Sequence, residues 1–417
     1  MIPKLDYYKN KWDVQSDQSI KPGLDAIKEA LGLLGNPEKQ LRIVHVAGTN
    51  GKGSTIAFLE QIARKHDVNV GKFMSPCIVD VHDQLQINGR SISENEMDEL
   101  FNQLKKAGLS GRLTDFELLT CAAFLYFAQQ KVDLLLLETG MGGREDSTNV
   151  ITPIVSIITS IALEHTKFLG STIQSIAQHK AGIIKANRPV VVGRLSKEAF
   201  KVIDEEAFGK QAPLIALGDH FDVQNDETFD TYVNDENGLQ IKNLVRTLPG
   251  DHQADNMALA ITAFFEVAEH LKLAVDVNAI REGIQLASLP GRFEEVLPDV
   301  YFDGAHNPAS AEKLVETIKQ HFPNEPIRFV LGMLADKDVK TVLQLFEQVS
   351  DEFYFVDFAN ERAMAAQEML TLSAASQVNI LDDYVTFLKT AGSKKGKTFV
   401  TGSLYLLTEM RKKLLNK

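Results

Sequence analysis

Arg42-Ile43-Val44-His45-Val46-Ala47, running directly into Gly48-Thr49-Asn50-Gly51-Lys52-Gly53-Ser54-Thr55, is the stretch on which the fold turns. Its first half is apolar and β-branched, which predicts a strand; its second half is a glycine-rich turn leading into periodic residues 54–64, which predict a helix. Strand, glycine turn and helix in that order make a cradle for anions. Backbone N–H groups of the turn and the unsatisfied donors of the helix N-terminus can hold phosphate oxygens, and Lys52 can neutralise their charge. The stretch departs from the strict G-x-x-x-x-G-K-[ST] pattern, because Gly53 separates Lys52 from Ser54 and position 46 is Val. Taken alone, it also allows a glycine-rich turn with an exposed lysine.

Outward from this point the alternation continues, with a strand over 68–73, helices over 94–106 and 115–130, and an apolar run over 132–137. Such a run suits a parallel strand covered on both faces. Residues 153–158 and 189–192 read as further strands with a helix over 171–184 between them. Residues 212–248 differ: β-type runs, Asn237-Gly238 and many acidic side chains suggest an antiparallel insertion or meander. A helix over 256–271 closes the first unit. After Pro290-Gly291 the pattern restarts, with strands over 300–302, 327–331, 353–356 and 398–401 separated by helices over 310–321, 339–349 and 384–390, and a final helix. The expected fold class is α/β, a P-loop parallel-sheet domain over 1–290 followed by a smaller Rossmann-like α/β domain over 291–417.

Composition agrees. At ~150 residues per domain, 417 residues make two to three domains, and 44% hydrophobic with 24% charged residues is ordinary globular usage. A net charge of −12 argues against nucleic acid as a general partner, since phosphate-backbone affinity comes from clustered Lys and Arg. Cys77 and Cys121 lie far apart with no C-x-x-C spacing, so neither a disulfide framework nor a zinc-binding pair is indicated, and a reducing compartment is expected. The most apolar stretch, 151–163, is short and interrupted by Pro153, and the first residues lack a signal-peptide core. A cytoplasmic protein without membrane partners is expected.

The glycine loop resembles that of the folylpolyglutamate synthase and dihydrofolate synthase family, relatives of the Mur peptide-bond ligases. Further segments similar to that family follow in order: Met74-Ser75-Pro76, Glu138 to Arg144, Asp146 to Val150, Glu164-His165, His179 to Lys185, Gly250-Asp251-His252-Gln253 with Asn256, Gly291-Arg292, Asp303 to Pro308, and Thr401 to Tyr405. They span nearly the whole chain. The resemblance implies an ATP-binding first domain and a glutamate-ligase second domain. It implies that ATP phosphorylates a folate-type carboxylate and that L-glutamate attacks the acyl phosphate, on folate or dihydropteroate, in a monomeric enzyme.

It also assigns residues. Gly48, Thr49, Asn50, Gly51, Lys52, Gly53, Ser54 and Thr55 would bind ATP with Asn256, Arg292 and Asp303, the last suited to ribose hydroxyls or an adenine amine and Arg292 to phosphate charge. Ser75, Glu138 and His165 would hold Mg²⁺. Glu138 ends an apolar strand, and open α/β sheets bind ligands beyond their strands' carboxyl ends; read by itself it is equally a strand-end carboxylate in a hydrogen-bonded turn, and the resemblance favours the metal ligand. Imidazole is an unusual partner for a hard cation, which leaves Mn²⁺ as a substitute. Lys180 would be carbamylated, which needs a neutral amine and hence burial or nearby cations. Lys52, Lys180 and His165 form the expected catalytic set, and Thr114, Phe116, Glu117, Asp146, Ser147 and His306 the substrate set. Asp83-Gln84 stand where relatives often carry Glu-Arg, and Glu145 and Ser147 where many carry Leu and Ala. The rival readings are a Mur-type ligase acting on another acid and a P-loop nucleotide-hydrolysing binding protein. Mur enzymes carry an additional N-terminal domain, for which the 47 residues before Gly48 are too few.

Overall fold

The apolar run before the glycine loop forms β1 (Ile43–Ala47), buried along its whole length, in a computed structural model that describes residues 2–19, 21, 23–225, 229–391 and 395–415. The strands that follow are β2 (Val70–Phe73), β3 (Leu85–Ile87), β4 (Arg90–Ser91), β5 (Leu134–Glu138), β6 (Val155–Ile158), β7 (Val190–Val192) and β8 (Leu214–Ala216). They make one eight-stranded sheet of order β4-β3-β2-β5-β1-β6-β7-β8. All pairings from β2 to β8 are parallel; β3 and β4 add antiparallel at one edge. The all-leucine run of β5 is buried throughout, as a strand covered by helices on both faces must be. Capping boxes at Ser93 and Thr114 start the helices Glu94–Lys106 and Asp115–Gln129. The second of these helices contributes Leu118, Ala122 and Phe124 to a core shared with Phe73, Leu135 and Leu137.

The region 212–248 only partly follows the expectation of an antiparallel insertion. Residues 214–216 pair parallel to β7, and the helix Lys197–Gly209, capped by Ser196, supplies the crossover that a parallel connection requires. The meander is confined to β9 (Phe221–Asn225), β10 (Asp230–Asn234) and β11 (Leu239–Leu244), an antiparallel three-stranded sheet. The long helix begins at Asp251 and runs to Leu271.

Contacts divide the chain into two units, Met1–Thr247 with Gln253–Ser288, and Leu248–His252 with Leu289–Lys417. The second unit has a six-stranded sheet made of β12 (Glu294–Leu297), β13 (Val300–Phe302), β14 (Ile327–Leu331), β15 (Glu352–Phe355), β16 (Gln377–Ile380) and β17 (Lys397–Thr401). Their order is β12-β13-β17-β14-β15-β16, with β12 the antiparallel edge. Alternation divides its core: Phe329, Leu331 and Phe399 serve one face, Val330 and Val400 the other. Among the described residues no helix is long and apolar enough to cross a membrane.

Candidate functional site

β1 lies between β5 and β6, and the glycine loop leaves its carboxyl end at this crevice. Two glycines are required by space. A Cβ on Gly48 would collide with Thr159 Oγ1, and one on Gly51, whose φ is +88°, would collide with Asn256 Oδ1. The segment after β6 clamps the loop. Thr49 N–H donates to Ser160 O at 2.8 Å, Asn50 N–H to Ser160 Oγ at 2.9 Å, and Thr159 Oγ1 donates to Asn50 O at 2.6 Å. Thr49 Oγ1 donates to Ala162 O at 3.1 Å. Thr49 therefore shapes the loop through both its backbone and its hydroxyl, and Asn50 through its backbone. The N–H groups of Lys52, Gly53 and Ser54, at the start of the helix Lys52–Arg64, have no acceptor within that helix and are the donors available to an anion. Asn256 reaches the same point from the helix Asp251–Leu271, with Thr55 Oγ1 at 3.5 Å and Gln253 Oε1 at 2.9 Å. Thr159 and Ser160 were missed in sequence, where no local motif marks them.

Lys52 Nζ folds back onto Gly48 O at 2.9 Å and Thr49 O at 3.3 Å and lies 3.8 Å from Glu138 Oε1. Glu138 ends β5 opposite Val46, two residues before the loop, and its Oε2 accepts the N–H of Ser75 at 3.3 Å. Ser75 arrives there because β2 pairs with β5, Phe73 opposite Leu137. The Glu138 carboxylate beside the phosphate cradle, with Ser75 bonded to it through its N–H, brings two residues with hard oxygen donors to one place. Among the described residues no three His, Cys, Asp or Glu side chains group to hold a metal ion. Oxygen donors of this kind fit an ion such as Mg²⁺ or Mn²⁺ that takes its remaining ligands from phosphate and water.

A second charged group sits close by. Lys180, in the last turn of the helix Ile173–Ala181, is 1% exposed and its Nζ lies 2.7 Å from Glu164 Oε1. Burial depresses the Lys180 ammonium's proton affinity and the Lys52 charge adds to this, while Glu164 opposes both. Burial would raise the Glu164 carboxyl, but Lys180 and Lys52 outweigh it and hold it at about 2. His165 follows at a left-handed turn with φ +47°, and its charge also acts on Glu164. Contacts thus join Lys52, Glu138 and Ser75 in one set and Lys180 with Glu164 in another; the fields of Lys52 and His165 both act on Glu164. Glu164 itself was quoted in the sequence motif without a role; only its pairing with Lys180 reveals one.

The substrate set divides. Thr114 and Glu117 are buried and bond each other, Thr114 Oγ1 and N–H both donating to Glu117 Oε2 at 2.8 Å, as the capping box of their helix. The T-x-x-E spacing was legible as that signal. Phe116 stacks on Phe73 with centroids 6.0 Å apart and covers Gly140, where a Cβ would lie 2.6 Å from its Cζ and 3.3 Å from Asp146 Oδ2. Asp146 accepts from Met141 N–H at 2.7 Å and from Thr148 N–H at 3.0 Å, so it ties both ends of the loop 140–148 that presents Ser147. Burial raises its carboxyl against the pull of these donors.

In the second unit, Asp303 follows β13 and accepts from Phe293 N–H and Ala305 N–H, each at 2.9 Å. Burial raises its carboxyl, and the neighbouring Arg292 charge opposes this. Arg292 Nη1 donates to Gly291 O at 3.0 Å and covers Gly304, and His306 Nδ1 lies 2.7 Å from Gly304 O. Arg292, Asp303 and His306 thus gather at the carboxyl end of β13.

Residues 46–264 match the family model described as the Mur ligase middle domain, and residues 291–401 that of the Mur ligase glutamate ligase domain. The chain is 39% identical over 412 residues to a dihydrofolate synthase/folylpolyglutamate synthase of Bacillus subtilis, covering 95% of both. It is 33% identical over 402 residues to a folylpolyglutamate synthase of Lacticaseibacillus casei, covering 92% of both. Among solved structures, E. coli FolC in complex with DHPP and ADP superposes with a TM-score of 0.89 at 30% identity, covering 99% of this chain and 98% of that one.

Proposed function

Because the chain belongs to the folylpolyglutamate synthase and dihydrofolate synthase family of Mur ligases, we propose that it is an ATP-dependent acid–amino-acid ligase joining L-glutamate to a folate-type carboxylate. A carboxylate oxygen of the acceptor attacks the γ-phosphorus, the bond to ADP breaks, and an acyl phosphate forms. The neutral amine of glutamate then attacks the acyl carbon, inorganic phosphate leaves, and the amine gives up a proton. The observation that carries this reading is Lys52 at the mouth of the phosphate cradle, 3.8 Å from Glu138, with Ser75 at the same carboxylate.

The work assigned to the protein is positioning and electrostatics. The helix N–H groups at 52–54 and Lys52 take phosphate charge, and Asn256, Arg292 and Asp303 are assigned to the nucleotide. Ser75 and Glu138, with His165, would hold a divalent ion, which supplies charge neutralisation at the phosphates. Phe116, Asp146 and Ser147 are assigned to the acceptor, with Thr114 and Glu117 setting the helix that carries Phe116; His306 is assigned to glutamate. Cys77 and Cys121, both buried and neither in a disulfide, suit a reducing, cytoplasmic setting.

ADP release measured over a panel of dihydropteroate, folate and tetrahydrofolate acceptors tests the reading. Release should require both glutamate and an acceptor; equal release without either would identify a nucleotide-hydrolysing binding protein instead. Lys180 is further assigned as a carbamate, formed when its neutral amine adds to CO₂ with loss of a proton. What supports this is the buried nitrogen and the Lys52 charge, which favour the neutral amine. Enzyme equilibrated with ¹³C-bicarbonate should show one carbamate carbon resonance that is missing from Lys180→Met; its absence from the active enzyme would refute the modification.

A further inference from the structure

His45 is a fully buried imidazole inside β1 that the reaction scheme leaves without a task. Its Nε2 lies 2.8 Å from Thr148 Oγ1, and Thr148 Oγ1 lies 2.6 Å from Asp146 Oδ1. The proton positions follow from chemistry. Around Asp146 stand the N–H groups of Met141 and Thr148 and the Thr148 hydroxyl, so the carboxylate accepts from all of them. The single hydroxyl proton of Thr148 therefore goes to Asp146. Its oxygen is then left to accept, and His45 must donate from Nε2–H. Burial pushes the His45 imidazole down to about 3, with the Lys185 charge adding to the effect, so the ring is neutral and Nδ1 carries no proton. Among the described residues Nδ1 finds no hydrogen-bond partner, as the lone-pair nitrogen of this tautomer would not.

We propose that His45 is a positioning residue for the acceptor, acting through Thr148 on Asp146 to lock the loop 140–148 onto the central strand of the sheet. The strand concerned is the one that feeds the phosphate loop, since Gly48 comes three residues after His45. A single buried line, His45 to Thr148 to Asp146 to Met141 N–H, thus references the loop carrying Ser147 to the strand carrying the phosphate cradle. Rigid reference of this kind matters because a ligase must bring a carboxylate oxygen within reach of phosphorus, and small misplacements are costly. Asp146 cannot hold the line alone: its Thr148 contacts close one end of the loop and its Met141 contact the other.

The inference rests on the acceptor assignment of Asp146 and Ser147, and the experiment separates the two. Steady-state constants are measured with dihydropteroate, ATP and glutamate for the wild type, Thr148→Val, Thr148→Ser and Asp146→Asn, each checked for its unfolding midpoint. Thr148→Val keeps the shape but removes the hydroxyl, and should raise the acceptor KM by about tenfold while leaving the KM values of ATP and glutamate within about twofold. Thr148→Ser should restore the acceptor KM to within about threefold. A general loss of structure would move all three constants, and a serine with an equal deficit would refute the relay. If Asp146→Asn raises the acceptor KM but Thr148→Val does not, the relay falls and the acceptor assignment stands. If neither raises it, the assignment falls and takes the kinetic relay with it. ¹⁵N shifts of labelled histidine, with the His45 signal identified by its loss in His45→Gln, report the tautomer without any substrate. An Nε2–H neutral ring is expected, and an Nδ1–H ring or an imidazolium at neutral pH would overturn the inference directly.

Discussion

Lys52→Ala should cut ligase turnover by ~10³-fold or more on every acceptor, because phosphoryl transfer leaves a protein little to do except hold and neutralise charge. Lys52 is the cation at the mouth of the cradle, held by Gly48 O and Thr49 O and set 3.8 Å from Glu138. Its removal leaves the buried Glu138 carboxylate facing the phosphates without that neighbour, so loss of attraction and gain of repulsion act together. The fold should persist, since the helix Lys52–Arg64 is anchored by Ile56, Phe58, Leu59 and Ile62, all fully buried. Initial rates of ADP formation at saturating ATP, alongside the unfolding midpoint, check this. Unchanged turnover in a folded variant would remove the phosphate loop from the reaction.

In enzyme freed of CO₂, where Lys180 is unmodified, Glu164→Leu should produce the largest effect on stability. Lys180 is 1% exposed, and Glu164 is the carboxylate 2.7 Å from its nitrogen. Removing one partner of a buried pair costs about 3–5 kcal/mol, which lowers the unfolding midpoint on the order of 10 °C for a unit of this size. The double variant Glu164→Leu with Lys180→Met removes both charges and should regain most of that loss while remaining inactive. Calorimetry of the two variants checks the contrast; a double variant no more stable than Glu164→Leu would show that the pair is not the source. The pH dependence has a definite sign. With Lys180 unmodified, the folded Glu164 carboxyl is held at about 2, below its ordinary 4.5, so its contribution is complete above about pH 4.5 and is lost as pH falls toward 2. Stability should decline across that acid window in the wild type, and more shallowly in the double variant.

The helix spacing of residues 94–106 and the leucine run of β5 were legible because each depends on neighbours along the chain, and the structure places both within two residues of the reading. The crossover helix Lys197–Gly209 was not read, and without it the strand at 214–216 passed for part of a meander. At the site, Lys52 and Glu138 could be singled out as a loop lysine and a strand-end carboxylate. That Thr159 and Ser160 would clamp the loop, more than a hundred residues away in sequence, could not be read from residue type.

What the sequence determined by itself is the strand, glycine turn and helix at 42–64, the α/β order on either side of it, and the ordered motifs that mark the ligase family. These are local or pattern properties: hydrophobic period, glycine at positions of unusual φ, and residue types at fixed spacing. What only the tertiary structure decided is which charges meet: Lys180 with Glu164, Ser75 with Glu138, and His45 with Thr148 and Asp146. The physical reason is that proton affinity and ion pairing depend on burial and distance. Both are set by how β1, β5 and β6 line up in the sheet, and neither is carried by any one stretch of chain.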